Sequence, residues 1–346
     1  MKRVYLDQSF LSNVAKECSS EAEARIFSKL QDAKVRGRVS FIVSDVHVRE
    51  TSAIPDEFAE NRRRIFAFQN DLADGNIADD WRDVFVAQHR RMLSGDGESD
   101  FFPVSDLGLK EVCFQEGRIR VQLTNSWRMR LSRSTGPDSN EFDAKLAIIL
   151  DRQVANVGDM KSLDYVRGLW IRDVRKGILA RQRRREIRQS RERFVEACES
   201  GATGLVPPKM EWPEAAFSSV VSEVVKGLDE VSALDRWLNF LNSNSVGSCP
   251  SLLIRIACEA QLLDTRAKGH RSSGKKFREN FGRSRQADID HISAFVPYVD
   301  ALTTDRDMHN LCEADIVAKE LKSFPCELFS TKNYKEFETW LDSVPA

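Results

Sequence analysis

Asp288-Ile-Asp-His-Ile-Ser-Ala-Phe-Val-Pro-Tyr-Val-Asp-Ala-Leu-Thr-Thr-Asp-Arg-Asp307 changes its period halfway along. Asp288, Ile292 and Phe295 recur at helical spacing, and Pro297 closes that helix because its ring clashes with a continuing turn. Val299 to Thr303 is then a short apolar run of strand length, with Asp300 near its start and Asp305 just past its end. In an open α/β sheet, ligands bind in the groove outside the carboxyl ends of the strands. The reading therefore puts Asp305 at a strand end and Asp288 at the start of a packed helix, with both able to reach one groove.

The N-terminus supplies the other half of that groove. Lys2 to Phe10 opens as a short apolar strand that runs into Asp7, a residue disfavoured inside strands. A second strand, Val39 to Val43, leads to Ser44, which can cap a helix, and Glu50 falls on the second turn of that helix. Asp7, Glu50, Asp288 and Asp305 are thus the candidate site. Like charges packed closely do not all stay ionised without a cation, and hard oxygen donors suit Mg²⁺ or Mn²⁺ in metal-assisted hydrolysis. Each acid also has a plainer use, since Asp caps helix starts and turns after strands. His291, on a packed helix, reads as a hydrogen-bonded structural residue.

These fragments together resemble the PIN-domain nucleases. The resemblance rests on Tyr5-Leu6-Asp7, the Ser44 to Glu50 strand-to-helix turn, Asp288-x-x-His291, Pro297 to Asp300 leading to Thr304-Asp305-Arg306, and a last strand (Cys326 to Ser330) followed by a closing helix (Tyr334 to Leu341). It covers residues 1–60 and 286–346 and leaves the middle without a counterpart. It implies a three-layer α/β/α domain with a mainly parallel sheet, an acidic metal site and cleavage of RNA to products with a 5′ phosphate and a 3′ hydroxyl. Asp7, Glu50, Asp288 and Asp305 occupy the positions that bind Mg²⁺ or Mn²⁺ in that family. Asp300 is a further candidate, facing the site or capping the strand.

With 346 residues, 41% hydrophobic and 30% charged, the chain is long enough for a large core and two domains. A net charge of −1 means that any surface for nucleic acid is local. Seven cysteines without C-x-x-C spacing suit free thiols in a reducing cytosol. No signal-peptide run and no window of membrane-spanning length is present, so a cytoplasmic protein without a membrane role is expected.

Strand and helix alternate up to Glu50: Ser20 with Glu23 forms a capping box, and the helix that follows ends at Gly37. Beyond that point the pattern is largely helical to about residue 265, with loops at Leu93 to Pro103 and Ser200 to Pro213. The expected organisation is a PIN-like domain in two parts, 1–60 and 286–346, interrupted by a mainly helical insertion over 61–285. Two basic stretches lie in the insertion. Arg172 to Arg193 wraps a helix in arginine, as an exposed, ion-paired helix or as a rail for phosphates. Arg266 to Arg285 reads as a mobile loop beside the acid site. Its cations Arg266, Lys268, Arg271, Lys275, Lys276 and Arg278, with Phe277 and Phe281 to stack on bases, are the candidate contacts to single-stranded RNA.

No P-loop, G-x-S-x-G elbow or H-E-x-x-H is present. The expectation is a metal-dependent endoribonuclease. Two alternatives stand beside it: a non-catalytic nucleic-acid-binding or scaffold protein on the same fold, and a toxin-like nuclease controlled by a regulatory protein partner docked on the insertion.

Overall fold

Four short strands run parallel: β1 (Lys2–Tyr5) lies between β2 (Val39–Ile42) and β6 (Ala301–Thr303), and β7 (Glu327–Phe329) flanks β6. Tyr5 pairs with Ile42 on one side and with Leu302 on the other. The computed structural model describes residues 1–15, 19–52, 54–74, 76–78, 81–94, 110–115, 118–121, 148, 151–157, 160–201, 221, 223–243, 249–273 and 283–345. A separate antiparallel sheet joins β3 (Asn76–Ile77), β4 (Lys110–Gln115) and β5 (Arg118–Val121). The largely helical reading of this region missed that hairpin.

Strand alternation sends side chains to two cores. Val4, Leu6, Phe41 and Ala301 face Phe10 of α1 (Gln8–Ala15), Ile26 and Leu30 of α2 (Glu21–Val35), and Phe337 of α12 (Tyr334–Ser343). Tyr5, Ile42 and Leu302 face Ile292 and Phe295 of α9 (Arg283–Phe295), Met308 of α10 (Arg306–Glu313) and Val317 of α11 (Asp315–Leu321). Each such side chain contributes roughly 1.5–3 kcal/mol when fully buried, which strands of three or four residues need. The α/β class with a parallel sheet is therefore present.

The Ser20–Glu23 capping box forms as read: Ser20 Oγ accepts from the Glu23 N–H (3.2 Å), and Glu23 accepts from the Ser20 N–H (2.7 Å). Gly37 then takes a left-handed φ of 67°, which reverses the chain into β2.

A third core, around Trp170, Trp237 and Phe240, joins α5 (Trp81–Ser94), α6 (Ser162–Glu199), α7 (Glu230–Ser243) and α8 (Pro250–Ser273). Helix α8 belongs to two of the three cores: Ile254, Ala257 and Leu262 face the sheet side, while Leu252, Ile256 and Leu263 face the helical side. A helix apolar all round is a buried one. Packing also crosses the other expected boundary, because Leu72 and Phe68 of α4 (Ala59–Leu72) join the α1–α2 core. Among the described residues, no helix is long and apolar enough to cross a membrane.

Candidate active site at the carboxyl edge of the sheet

Because all four strands are parallel, their carboxyl ends share one edge, and the chain order reverses direction between β1 and β6. Asp7 follows β1 and Asp305 follows β6, so the two flank that switch point, the preferred place for a ligand. The Asp7 N–H donates to Thr303 Oγ1 (2.7 Å), tying the two strand ends together. The Asp7 carboxylate accepts from the Ser9 N–H (3.1 Å) and from the Ser9 hydroxyl. Burial pushes its pKa up; the Ser9 hydrogen bonds oppose this and the Asp305 carboxylate adds to it. Asp305 is exposed and caps α10, one oxygen accepting from the Met308 N–H (2.7 Å). The plainer use of this residue, a helix cap after a strand, is the one its hydrogen bond shows.

Glu50 lies exposed on α3 (Asp45–Ser52). Asp288 is half-buried on α9. It was expected at a helix start, but α9 begins at Arg283 and Asp288 lies in its interior. The Tyr5 phenol feels the charge of three of these acids. It is held well above the usual tyrosine range, first by burial and then, against a hydrogen bond from Ser44, by the carboxylates of Asp7, Glu50 and Asp288. Three acids thus act on one buried phenol, and the fourth, Asp305, acts on Asp7. Oxygen donors of this kind suit a hard divalent cation. Among the described residues, no three His, Cys, Asp or Glu side chains close into a coordination sphere.

Beneath the acids is a neutral floor that sequence reasoning missed. Tyr5 Oη and Ser44 Oγ are 3.1 Å apart, and His47 Nδ1 accepts from the Ser44 N–H (3.0 Å). With Nδ1 an acceptor, Nε2 carries the proton and donates to the Leu6 carbonyl (2.8 Å). Burial lowers the His47 pKa to about 4, so the ring staples the ends of β1 and β2 as a neutral group. The available signal was the Ser44-x-x-His47 spacing, a capping box with histidine in the glutamate position. Phe295 stacks on Tyr5 at 4.7 Å between centroids, and His291 lies 6.0 Å away, packing α9 onto this floor.

Asp300 does not belong to the site. It precedes β6, at the opposite edge of the sheet, where it accepts from the Arg3 N–H (2.8 Å) and pairs with Lys2 (2.7 Å). Parallel strands put residues before and after β6 at opposite edges, which separates Asp300 from Asp305.

The expected RNA-contacting stretch also needs correction. Helix α8 continues to Ser273, so residues 266–273 are helical and not loop. Arg266 is buried, with Nε and Nη2 both on Asp151 Oδ1 (2.9 and 2.7 Å), which commits it to an internal ion pair. Lys268 is exposed and pairs with Asp264 (2.6 Å). The Arg271 side chain, and Lys275, Lys276, Phe277, Arg278 and Phe281 entirely, lie outside the described residues.

A thiol–imidazole pair is present in the helical core: Cys249 Sγ is 3.2 Å from His89 Nδ1. It lacks the charges of a nucleophilic dyad. Burial pushes the Cys249 thiol up and lowers His89 to about 3, so both are neutral, and the His89 ring bonds the Phe85 carbonyl (2.7 Å).

No protein-family model matches this chain, and neither a curated protein nor a solved structure matches it.

Proposed function

We propose that this chain is a metal-dependent nuclease, specifically an endoribonuclease, built on a three-layer PIN-like domain. One observation carries the reading: Asp7 and Asp305 follow neighbouring parallel strands at the switch point of the sheet, and the Asp7 N–H on Thr303 ties those strand ends together. Asp7, Glu50, Asp288 and Asp305 are the donors for Mg²⁺ or Mn²⁺. When bound, such an ion supplies charge stabilisation and water activation in phosphodiester hydrolysis. The chain's own residues hold the donors in place. Ser9 fixes the Asp7 carboxylate, the Asp7 N–H locks to Thr303, and one Asp305 oxygen is committed to its helix cap. The aromatic and imidazole floor denies water access from below. The choice of RNA over DNA rests on the family resemblance alone.

The test is cleavage of a labelled single-stranded RNA with Mn²⁺ present, comparing wild type with Asp7→Asn. Metal-dependent cleavage that vanishes in the variant supports the reading. Absence of cleavage with both proteins, while RNA still binds in a salt-dependent way, replaces it with the binding-protein alternative.

A further inference from the structure

Helix α6 outruns its own core. Val166, Trp170, Val174 and Gly177 form a seam at spacings of three and four, all buried against α7, α8 and their neighbours. Gly177 is small for a reason: a Cβ there would stand 2.6 Å from Val221 Cγ2. The same register then continues as Arg181, Arg184, Arg188 and Arg191. Beyond Ile187 no residue of α6 is buried.

Between Arg172 and Arg193 the helix carries ten basic side chains and three acidic ones, an excess of seven positive charges in a chain whose net charge is −1. This segregation spans about 32 Å of helix. Some of the charge is neutralised within the protein. Arg181 and Arg185 both reach Glu230, Arg183 pairs with Glu186 at 3.1 Å, and Arg172 pairs with Asp173 at 3.2 Å. Five exposed cations remain outside any ion pair among the described residues: Arg175, Lys176, Arg188, Arg191 and Arg193. Like charges three and four residues apart weaken a helix, so the run does not serve the helix itself. Nine of the ten basic residues are arginine, whose planar fork matches a phosphate better than an ammonium does.

We propose that Arg172–Arg193 is a docking rail for the phosphate backbone of RNA, set apart from the acidic site. RNA as the occupant rests on the nuclease reading; a polyanion is what the charge of this helix attracts. A polyanion relieves the repulsion along the run and gains by releasing its counterions. The rail reads no sequence. Its contribution is affinity for long strands.

The experiment measures binding of a fluorescent 30-nucleotide single-stranded RNA by anisotropy over a salt series, in an Asp7→Asn background that preserves the RNA. Arg175, Lys176, Arg188 and Arg191 are changed together to Gln, a good helix former, with unchanged circular dichroism as the folding control. A second variant, Lys319→Gln with Lys335→Gln, removes exposed cations elsewhere. The expected result is weaker binding in the quadruple variant, with the slope of log affinity against log salt reduced by about 0.7 per lost contact, and no change in the double variant. Equal affinity and slope in the quadruple variant and its parent overturn the rail. So does an equal loss in both variants. The nuclease reading is judged separately, by wild-type cleavage of a short oligonucleotide. Rail-dependent binding without cleavage supports the rail and sinks the nuclease; cleavage with rail-independent binding does the reverse.

Discussion

The two edges of the parallel sheet both carry aspartate next to β6, and they use it differently. At the amino edge, Asp300 meets Lys2 and the Arg3 N–H, and its charge is neutralised by the strand beside it. At the carboxyl edge, Asp305 acts on Asp7, and Asp7 joins Glu50 and Asp288 around one phenol. A carboxylate facing a cation is a staple. A carboxylate whose neighbouring charge is another carboxylate is not neutralised by the fold in that way, which is the contrast the proposed site rests on.

The strongest attack on this contrast is Asp7→Asn. RNA cleavage is expected to fall at least about a thousandfold, while the melting temperature stays level or rises, because a carboxyl whose folded pKa is raised destabilises the fold at neutral pH. A variant that melts much lower than wild type would make Asp7 a structural residue and erase the distinction between the edges.

Next in size is Arg255→Met. Arg255 is half-buried between Asp290 and Glu259, against the ring of Trp170, whose Nε1 also bonds Glu259 (3.0 Å). Removing it takes the Arg255 guanidinium away from the buried Asp290, at a cost of about 3–5 kcal/mol, and pairing the change with Asp290→Leu restores much of that. Urea titration of the two variants checks this. A single variant as stable as wild type would mean that a buried acid here does not need its cation.

Acid should act on the neutral histidines. His47 and His89 are lowered by burial to about 4 and about 3. Below pH about 6.5 the unfolded chain takes up protons that the folded chain refuses. Stability is therefore complete above that pH and is lost as pH falls towards 4, on the order of 2 kcal/mol per histidine by pH 5. Denaturant midpoints at pH 7.5 and pH 5 measure the loss, and His89→Gln should shrink it.

Least affected should be Asp300→Asn, which keeps an acceptor for the Arg3 N–H but surrenders a partly exposed ion pair. The expected cost is below about 1 kcal/mol with cleavage intact. A fall in cleavage would return Asp300 to the site.

The strand ends were legible because a short apolar run followed by an acid has few other readings. Asp7, Ser44 and Asp305 therefore sit where the sequence put them. Arg266 was not legible. Its glycine- and serine-containing surroundings suggested a loop, but the apolar length of α8 carried the helix past it and Asp151, far away in sequence, drew it inside. Asp300 was ambiguous for a similar reason, since one position in a strand does not say which end of a sheet it reaches until neighbouring strands are known to be parallel. The hairpin of β4 and β5 depends on cross-strand pairing, which leaves little trace in periodicity.

One pairing has a consequence during synthesis. Central strand β1 is made before its β6 neighbour, joined through Val4 with Ala301 and Tyr5 with Leu302, which lies about 300 residues later in the sequence. At about 5–20 residues per second, a ribosome leaves that flank of β1 open for roughly 15 to 60 s. An open flank is a template for the wrong strand. Through that interval the flank of β1 needs cover, from early helices of the chain or from a chaperone, until β6 pairs with it.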